Sequence, residues 1–233
     1  MSTFYFKYFS INQKNASMKV GTDAMILGAL IETENSKTAL DIGTGTGVIS
    51  LMCAQKNPNL HVTAIDIDQI NILLAQENFK RSNWANNLKA LEANILEFKS
   101  LNTFDLIFSN PPFFINGDKA KSERKTNAKH VCSFNLLGFF KASFDLLTQD
   151  GSLWMIIPFE NHENWTVKSK EAGFNIAQII YINGKEDRCV RLVIEFKKKQ
   201  IEFDEYSLTI RNQDGSYTQQ YRKITEEFHA VKI

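Results

Sequence analysis

Two short stretches of this 233-residue chain carry side chains suited to chemistry. The first is DIGTGTG, Asp41 to Gly47, which sets Gly43, Gly45 and Gly47 between an apolar strand-like run and a helix-like run. Glycines so placed let the backbone turn tightly and come close to a ligand. Asp66 stands roughly 20 residues further on, where an acidic side chain can accept hydrogen bonds from both hydroxyls of a ribose. Together they predict an adenosine-type cofactor; a structural turn with a solvated aspartate is the alternative. The G-x-G-x-G spacing departs from the G-x-G-x-x-G of dinucleotide binders, and nothing else calls for a hydride acceptor. The second stretch is FDLIFSNPPFF, Phe104 to Phe114. A strand-like run stops at Asn110-Pro111-Pro112, and Phe113 and Phe114 follow at once. Neither proline has an N–H to donate, so the ladder ends there on a stiff polar corner. A plain turn is the alternative.

Both stretches need a sheet to hold them, and the pattern supplies one. Strands are expected at Thr38–Gly43, His61–Asp68, Leu88–Ala93, Phe104–Ser109 and Ser152–Pro158. Helices are expected at Val48–Lys56, Gln69–Arg81, Phe134–Leu147 and Asn161–Ala172, the last closed by Gly173. The Gln69–Arg81 helix sets Ile70, Leu73, Leu74 and Ala75 at helical spacing. Ahead of this series lie a strand-like Phe4–Ile11 and a short apolar helix over Thr22–Ile31. Behind it, FNIAQIIYI and CVRLVIEFKK flank Asn183-Gly184 as two adjacent antiparallel strands. Alternating strands and helices mean an α/β fold with a mostly parallel sheet and a hairpin at one end. The tail, residues 201–233, is polar with scattered aromatics and is expected to add one short strand pair. The whole chain reads as one domain: an extension over 1–36, a core over 37–200 and a second extension over 201–233.

Composition excludes several classes. Hydrophobic residues make up 43%, enough for one sizeable core, and the net charge of +1 gives no global basic field,. Any nucleic-acid partner must be met by local patches. Cys53, Cys132 and Cys189 lack C-x-x-C spacing and read as reduced thiols, which suits a cytoplasmic protein. His61, His130, His162 and His229 form no ligand-spaced pair, so no metal site is expected. MSTFYFKYFS is no signal peptide, and no apolar run reaches the ~20 residues that span a membrane. No obligate protein partner is evident.

DIGTGTG, then AIDID, then SNPPF resembles the class I S-adenosylmethionine-dependent methyltransferases that modify a planar nitrogen. With MKVGTDAMILGAL, Met18 to Leu30, just ahead of the glycine loop, the chain is similar to a narrower family. These are the bacterial methyltransferases that convert an adenine of tRNA(Val), beside the anticodon, to N6-methyladenosine. The similarity runs from FKYFSI through NPPFF to the AKH at Ala128–His130, and fades in the tail at FHAVKI. It implies a Rossmann-like fold, with a seven-stranded mostly parallel sheet and a C-terminal antiparallel hairpin.

The resemblance also assigns roles. Asn110, Pro111, Pro112 and Phe113 form the catalytic corner. The Asn110 side-chain oxygen and the Pro111 carbonyl each accept one N6–H bond, and Phe113 stacks on the base. S-adenosylmethionine is held by Lys19, Thr22 and Asp23 near its methionine end, and by Asp41, Gly43, Gly45, Gly47 and Asp66. Ile67 packs on its adenine, Asn94 meets that ring's edge, and Asn110 borders the site; capping is the alternative for Asn94. The basic stretch with Lys119, Lys121, Arg124, Lys125 and Lys129 is expected to grip tRNA phosphates, with Lys197–Lys199 as a second patch; solvated charge runs are the alternative. An unpaired anticodon-loop base costs less to flip than one in a duplex. Two rivals remain. A protein glutamine methyltransferase could use the same corner, but only forty residues precede Asp41, too few for the helical domain such enzymes carry. The other is a non-catalytic RNA-binding module, against which the intact Asn110-Pro111-Pro112-Phe113 argues.

Overall fold

The computed structural model describes residues 3–111, 135–160, 162–185 and 188–231. An N-terminal hairpin, β1 (Thr3–Tyr5) and β2 (Ser10–Asn12), leads to α1 (Thr22–Leu30). The alternating series follows: β3 (Thr38–Ile42), α2 (Val48–Lys56), β4 (His61–Asp66), α3 (Gln69–Lys80), β5 (Leu88–Glu92) and β6 (Phe104–Ser109). Then come α4 (Leu136–Leu146), β7 (Leu147–Pro158), α5 (His162–Glu171), β8 (Asn175–Asn183), β9 (Cys189–Lys197), β10 (Asp204–Thr209) and α6 (Gln219–Thr225). No helix among the described residues is long and apolar enough to cross a membrane.

The main sheet has the order β10-β8-β9-β7-β6-β3-β4-β5. β3 pairs in parallel with both β4 and β6, β5 continues in parallel from β4 and β7 from β6. The chain therefore winds outward in two directions from β3. Such a reversal opens a crevice beyond the carboxyl ends of the central strands, where open α/β sheets bind ligands. β9 runs antiparallel between β7 and β8, as the Asn183-Gly184 turn predicts.

Among the described residues the sheet holds eight strands, one more than the expected seven. The extra strand is β10, from the tail, which adds in parallel to β8 rather than forming a strand pair of its own. The hairpin is therefore covered on its outer side. β10 escaped the sequence pattern because it is an edge strand. Asp204, Glu205 and Tyr206 are exposed, and Leu208 anchors it at 3% exposure,. The rest of the tail folds back as α6, burying Tyr221, and Phe228 follows into the core. The Phe4–Ile11 run likewise is two short strands, with the Phe6 and Phe9 rings stacked 4.3 Å apart between them.

Two apolar layers sandwich the sheet. One joins α1, α2, α3 and the N-terminal hairpin through Met25, Leu27, Leu51, Met52 and Phe79. The other joins α4 and α5 through Phe139, Phe140 and Trp165. Burial on both faces accounts for the nearly continuous apolar runs of β6 and β7.

Candidate active site

The crevice beyond β3, β4 and β6 is a cleft of about 390 Å³. Its walls are the β3–α2 loop, the ends of β4 and β5, the segment Ser17–Lys19, and Asn110. The glycine loop is shaped by the strand next to it. The N–H groups of Gly43 and Thr44 both donate to the Ile65 carbonyl of β4, at 2.8 and 3.0 Å. The chain then turns through Gly45 at φ 56° and Gly47 at φ 80°, left-handed values that favour glycine,. A Cβ added at Gly45 would meet nothing within 4 Å, so the missing side chain leaves open space over the loop. At Gly47 the reason is packing, since a Cβ would lie 2.5 Å from the Phe79 ring. Gly47 caps α2 and does not line the cleft.

Asp41 stands beneath the loop, 1% exposed, with one carboxylate oxygen accepting from the hydroxyls of Thr44 at 2.7 Å and Ser50 at 2.6 Å. Burial pushes its carboxyl up to about 6; the two hydroxyl bonds oppose the rise, and Asp66 nearby adds to it,. Asp41 is thus bonded to the loop through Thr44 and to α2 through Ser50, and it does not line the cleft.

Asp66 closes β4 and faces the cleft. Its Oδ2 accepts from the Gly45 N–H at 2.9 Å and from Asn71 Nδ2 at 3.2 Å. Its Oδ1 accepts from the Asp68 N–H at 2.9 Å. A carboxylate has about four acceptor positions. Three are filled from within, so as the side chains stand Asp66 has room for one ribose hydroxyl, and a second needs an internal donor to let go.

Ile67, 75% exposed, forms the rim, with Ile42, Ile65, Ala93 and Ile95 behind it. This apolar slot beside an acidic residue suits a purine ring joined to a ribose. Asn94 also lines it, but its Oδ1 accepts from the Leu96 N–H at 3.1 Å, the capping alternative, which leaves the amide nitrogen for a ligand. Lys19 lines the cleft, whereas Thr22 and Asp23 do not. Asp23 is turned toward β9, where Arg191 Nε lies 2.9 Å from it.

Asn110 follows the last residue of β6. The Ser109 hydroxyl donates to the Ile42 carbonyl at 2.8 Å, so the ends of β6 and β3 are locked together. Asn110 lines the cleft, and its Oδ1 is buried with no hydrogen-bond partner among the described residues. Buried acceptors are normally paired, so an orphan beside a cleft marks a place for a donor. Pro111 is buried. Pro112, Phe113, Lys119, Lys121, Arg124, Lys125 and Lys129 lie outside the described residues. The second basic patch is at the other end of the sheet. There Lys197 pairs with Glu195, Lys198 donates to the Leu147 carbonyl, and Lys199 pairs with Asp150. The sequence reading missed Ser17, Thr44, Asp68 and Asn71, all on the cleft wall. Only Asp68 carries a local signal, as the N-cap of α3 bonded to the Ile70 N–H at 2.9 Å,.

The fold and the sequence have known counterparts. A predicted O-methyltransferase from Agrobacterium tumefaciens superposes with a TM-score of 0.69 at 15% identity, covering 90% of this chain and 98% of that one. An O-methyltransferase from Brevibacillus brevis, solved with S-adenosyl-L-homocysteine, superposes with a TM-score of 0.55 at 13% identity over 75% of this chain and 70% of its own. At those identities the likeness is one of fold. Sequence goes further. Residues 15–170 match the methyltransferase small domain. A tRNA1(Val) (adenine(37)-N6)-methyltransferase of Histophilus somni is 33% identical over 97% of this chain and 96% of its own. A chain with this glycine cleft, this orphan acceptor and similarity over nearly its whole length belongs to the methyltransferase small domain family, among the tRNA1(Val) (adenine(37)-N6)-methyltransferases.

Proposed function

We propose that this protein transfers a methyl group from S-adenosylmethionine to the exocyclic N6 of an adenine in tRNA, the adenine at position 37 of tRNA1(Val), in the cytoplasm. The observation that carries the reading is the unpaired Asn110 Oδ1 at the edge of the glycine cleft. The cleft suits the cofactor, with a side-chain-free loop at Gly43 and Gly45, one open acceptor position on Asp66, and apolar walls for a ring. Lys19, Gly43, Gly45, Asp66, Ile67 and Asn94 would hold it. When bound there, the group supplies a methyl carbon made electrophilic by a positive sulfur.

The chain's part is to make a poor nucleophile ready. The lone pair of an aromatic amine is delocalised into its ring. Asn110 Oδ1 accepts one N6–H and the Pro111 carbonyl the other, which favours tetrahedral character at nitrogen. The Ser109–Ile42 hydrogen bond and the two prolines hold these acceptors in place beforehand,. Phe113 stacks on the base, and the basic run Lys119, Lys121, Arg124, Lys125 and Lys129 takes tRNA phosphates. As the N6–methyl bond forms and the sulfur–methyl bond breaks, S-adenosylhomocysteine is left as product, and the extra proton on the methylated nitrogen passes to solvent, so no histidine is given a proton-transfer role.

The test is mass spectrometry of nucleosides from unmodified tRNA1(Val) incubated with the protein and methyl-labelled cofactor. Label in N6-methyladenosine at position 37 is the expected result. Label in another base, or only in protein, would overturn the reading.

A further inference from the structure

One donor to Asp66 comes from a residue that methyl transfer leaves unused. Asn71, in the first turn of α3, is 6% exposed and uses both ends of its amide. Its Nδ2 meets Asp66 Oδ2 at 3.2 Å. Its Oδ1 faces the N-terminal segment, 3.2 Å from Ser17 Oγ and 3.5 Å from the Ser17 N–H. The Ser17 hydroxyl has one proton, and Asp68 Oδ2 competes for it at 2.9 Å,. Ser17, Met18 and Lys19 form a wall of the cleft, so this short network ties the wall to the ribose-facing carboxylate. Two turns along α3, Asn78 repeats the device. Its Oδ1 accepts from the Asn12 N–H at 2.8 Å, and its Nδ2 donates to the carbonyls of Asn12 at 3.1 Å and Thr46 at 2.9 Å. α3 thus grips the N-terminal segment and the cofactor side of the sheet at two points on one face.

We infer that Asn71 is a positioning residue for the cofactor: it aims Asp66 at the ribose and, through the same amide, latches the Ser17–Lys19 wall beside it. The inference rests on the reading of the cleft as the cofactor site. Its consequence is that ribose recognition and closure of the wall are coupled. A residue that only filled space on α3 would couple neither.

The experiment titrates S-adenosylhomocysteine and its 2′,3′-dideoxy analogue calorimetrically into wild type, Asn71→Ala, Asn71→Asp and Ser17→Ala. In parallel, tryptic cleavage after Lys14 and Lys19 is timed with and without S-adenosylhomocysteine. Asn71→Ala vacates one acceptor position on Asp66 but leaves the carboxylate no longer held toward the ribose, and this lost pre-organisation should weaken S-adenosylhomocysteine binding by about ten-fold. Asn71→Asp keeps an acceptor for Ser17 but sets a second carboxylate against Asp66, and should bind more weakly still. In both, the preference for the ribose over its dideoxy form should shrink. Ser17→Ala should lose part of that preference and be cut faster after Lys19, because the coupling is reciprocal, and S-adenosylhomocysteine should protect the wild type there. A folded Asn71→Ala with wild-type affinity and ribose preference would overturn the inference. So would unchanged cleavage in Ser17→Ala together with no protection of the wild type, a result that holds even if Asn71→Ala fails to fold. Absence of S-adenosylhomocysteine binding to the wild type would instead bring down the cofactor reading, and this inference with it.

Discussion

Asn110→Ala should move stability and turnover in opposite directions. In the folded chain Asn110 Oδ1 is buried and has no donor among the described residues. A buried unpaired polar group costs roughly 1–3 kcal/mol, so deleting it relieves the fold, less the packing of one short side chain. The backbone offers no counter-argument. Positive φ among described non-glycine residues is confined to Asn15, so Asn110 holds no conformation that alanine refuses. The expected melting temperature is unchanged or higher by a few degrees, at about 2–4 °C per kcal/mol for a chain of this size. Turnover should fall ~10²–10³-fold, as for loss of an acceptor acting chiefly in the transition state. Cofactor affinity should hardly change. The assay pairs calorimetric melting with single-turnover methylation of tRNA1(Val). Asn110→Asp keeps an acceptor and should retain more activity than alanine, unless RNA phosphates repel its charge. An asparagine that merely shapes a turn gives the reverse pattern: alanine then lowers the melting temperature and leaves the rate alone. That outcome would refute the mechanism.

Asp66→Ala should weaken S-adenosylhomocysteine binding by at least ten-fold, because it removes a ribose acceptor and also frees the Gly45 and Asp68 N–H groups,; calorimetry showing equal affinity would reject that role. For Asp41 the folded value of about 6 lies above the ordinary 3.8, so the folded state binds the proton more tightly than the unfolded one,. Its contribution is therefore favourable below about pH 4 and is lost as pH rises through about 6, a swing of about 3 kcal/mol at ~1.4 kcal/mol per unit. Asp41→Asn should gain stability on wild type by that order between pH 4 and pH 7.5 in urea unfolding, and a difference that ignores pH would contradict the buried-charge account. Replacing Lys119, Lys121, Arg124 and Lys125 with alanine should raise the KM for tRNA and flatten its salt dependence while cofactor affinity holds. Equal salt slopes would show that another surface holds the RNA.

What the sequence made legible is the part of the site written in backbone constraints. Gly45 and Gly47 need left-handed φ, Asp66 ends a strand, and Asn110 precedes two prolines. Each is a local rule with a local signature, so the loop and the corner could be located before any strand was paired. That the central strands are buried in a mostly parallel sheet was equally accessible, because strands buried on both faces read as unbroken apolar runs, whereas their order in the sheet was not,. Nor was β10, since its single buried Leu208 gives an edge strand no pattern. Asp23 was expected near the methionine end of the cofactor from the resemblance, and it does not line the cleft. Its pairing with Arg191 depends on β9 passing beside α1, a contact made across 168 residues.

In α3 the local rule found the helix and half of its apolar residues on the buried side, but not the face itself. Ile70, Leu73, Leu74 and Ala75 sit at helical spacing and suggest an apolar stripe, yet Ile70 is 53% and Leu73 60% exposed. The buried face runs instead through Asn71, Ile72, Leu74, Ala75, Asn78 and Phe79. Apolar burial alone would have turned the helix to hide Ile70 and Leu73 at the expense of two asparagines. The helix is not so turned, because both asparagines find donors and acceptors on the inside: Asp66, Ser17, Asn12 and the Thr46 carbonyl. A buried amide that satisfies both of its ends is stabilising, whereas one left unpaired is costly. Those partners come from three separated parts of the chain, so periodicity within α3 could not reveal them. The helix is oriented by the cleft it serves, and the two exposed apolar side chains are the cost of that orientation.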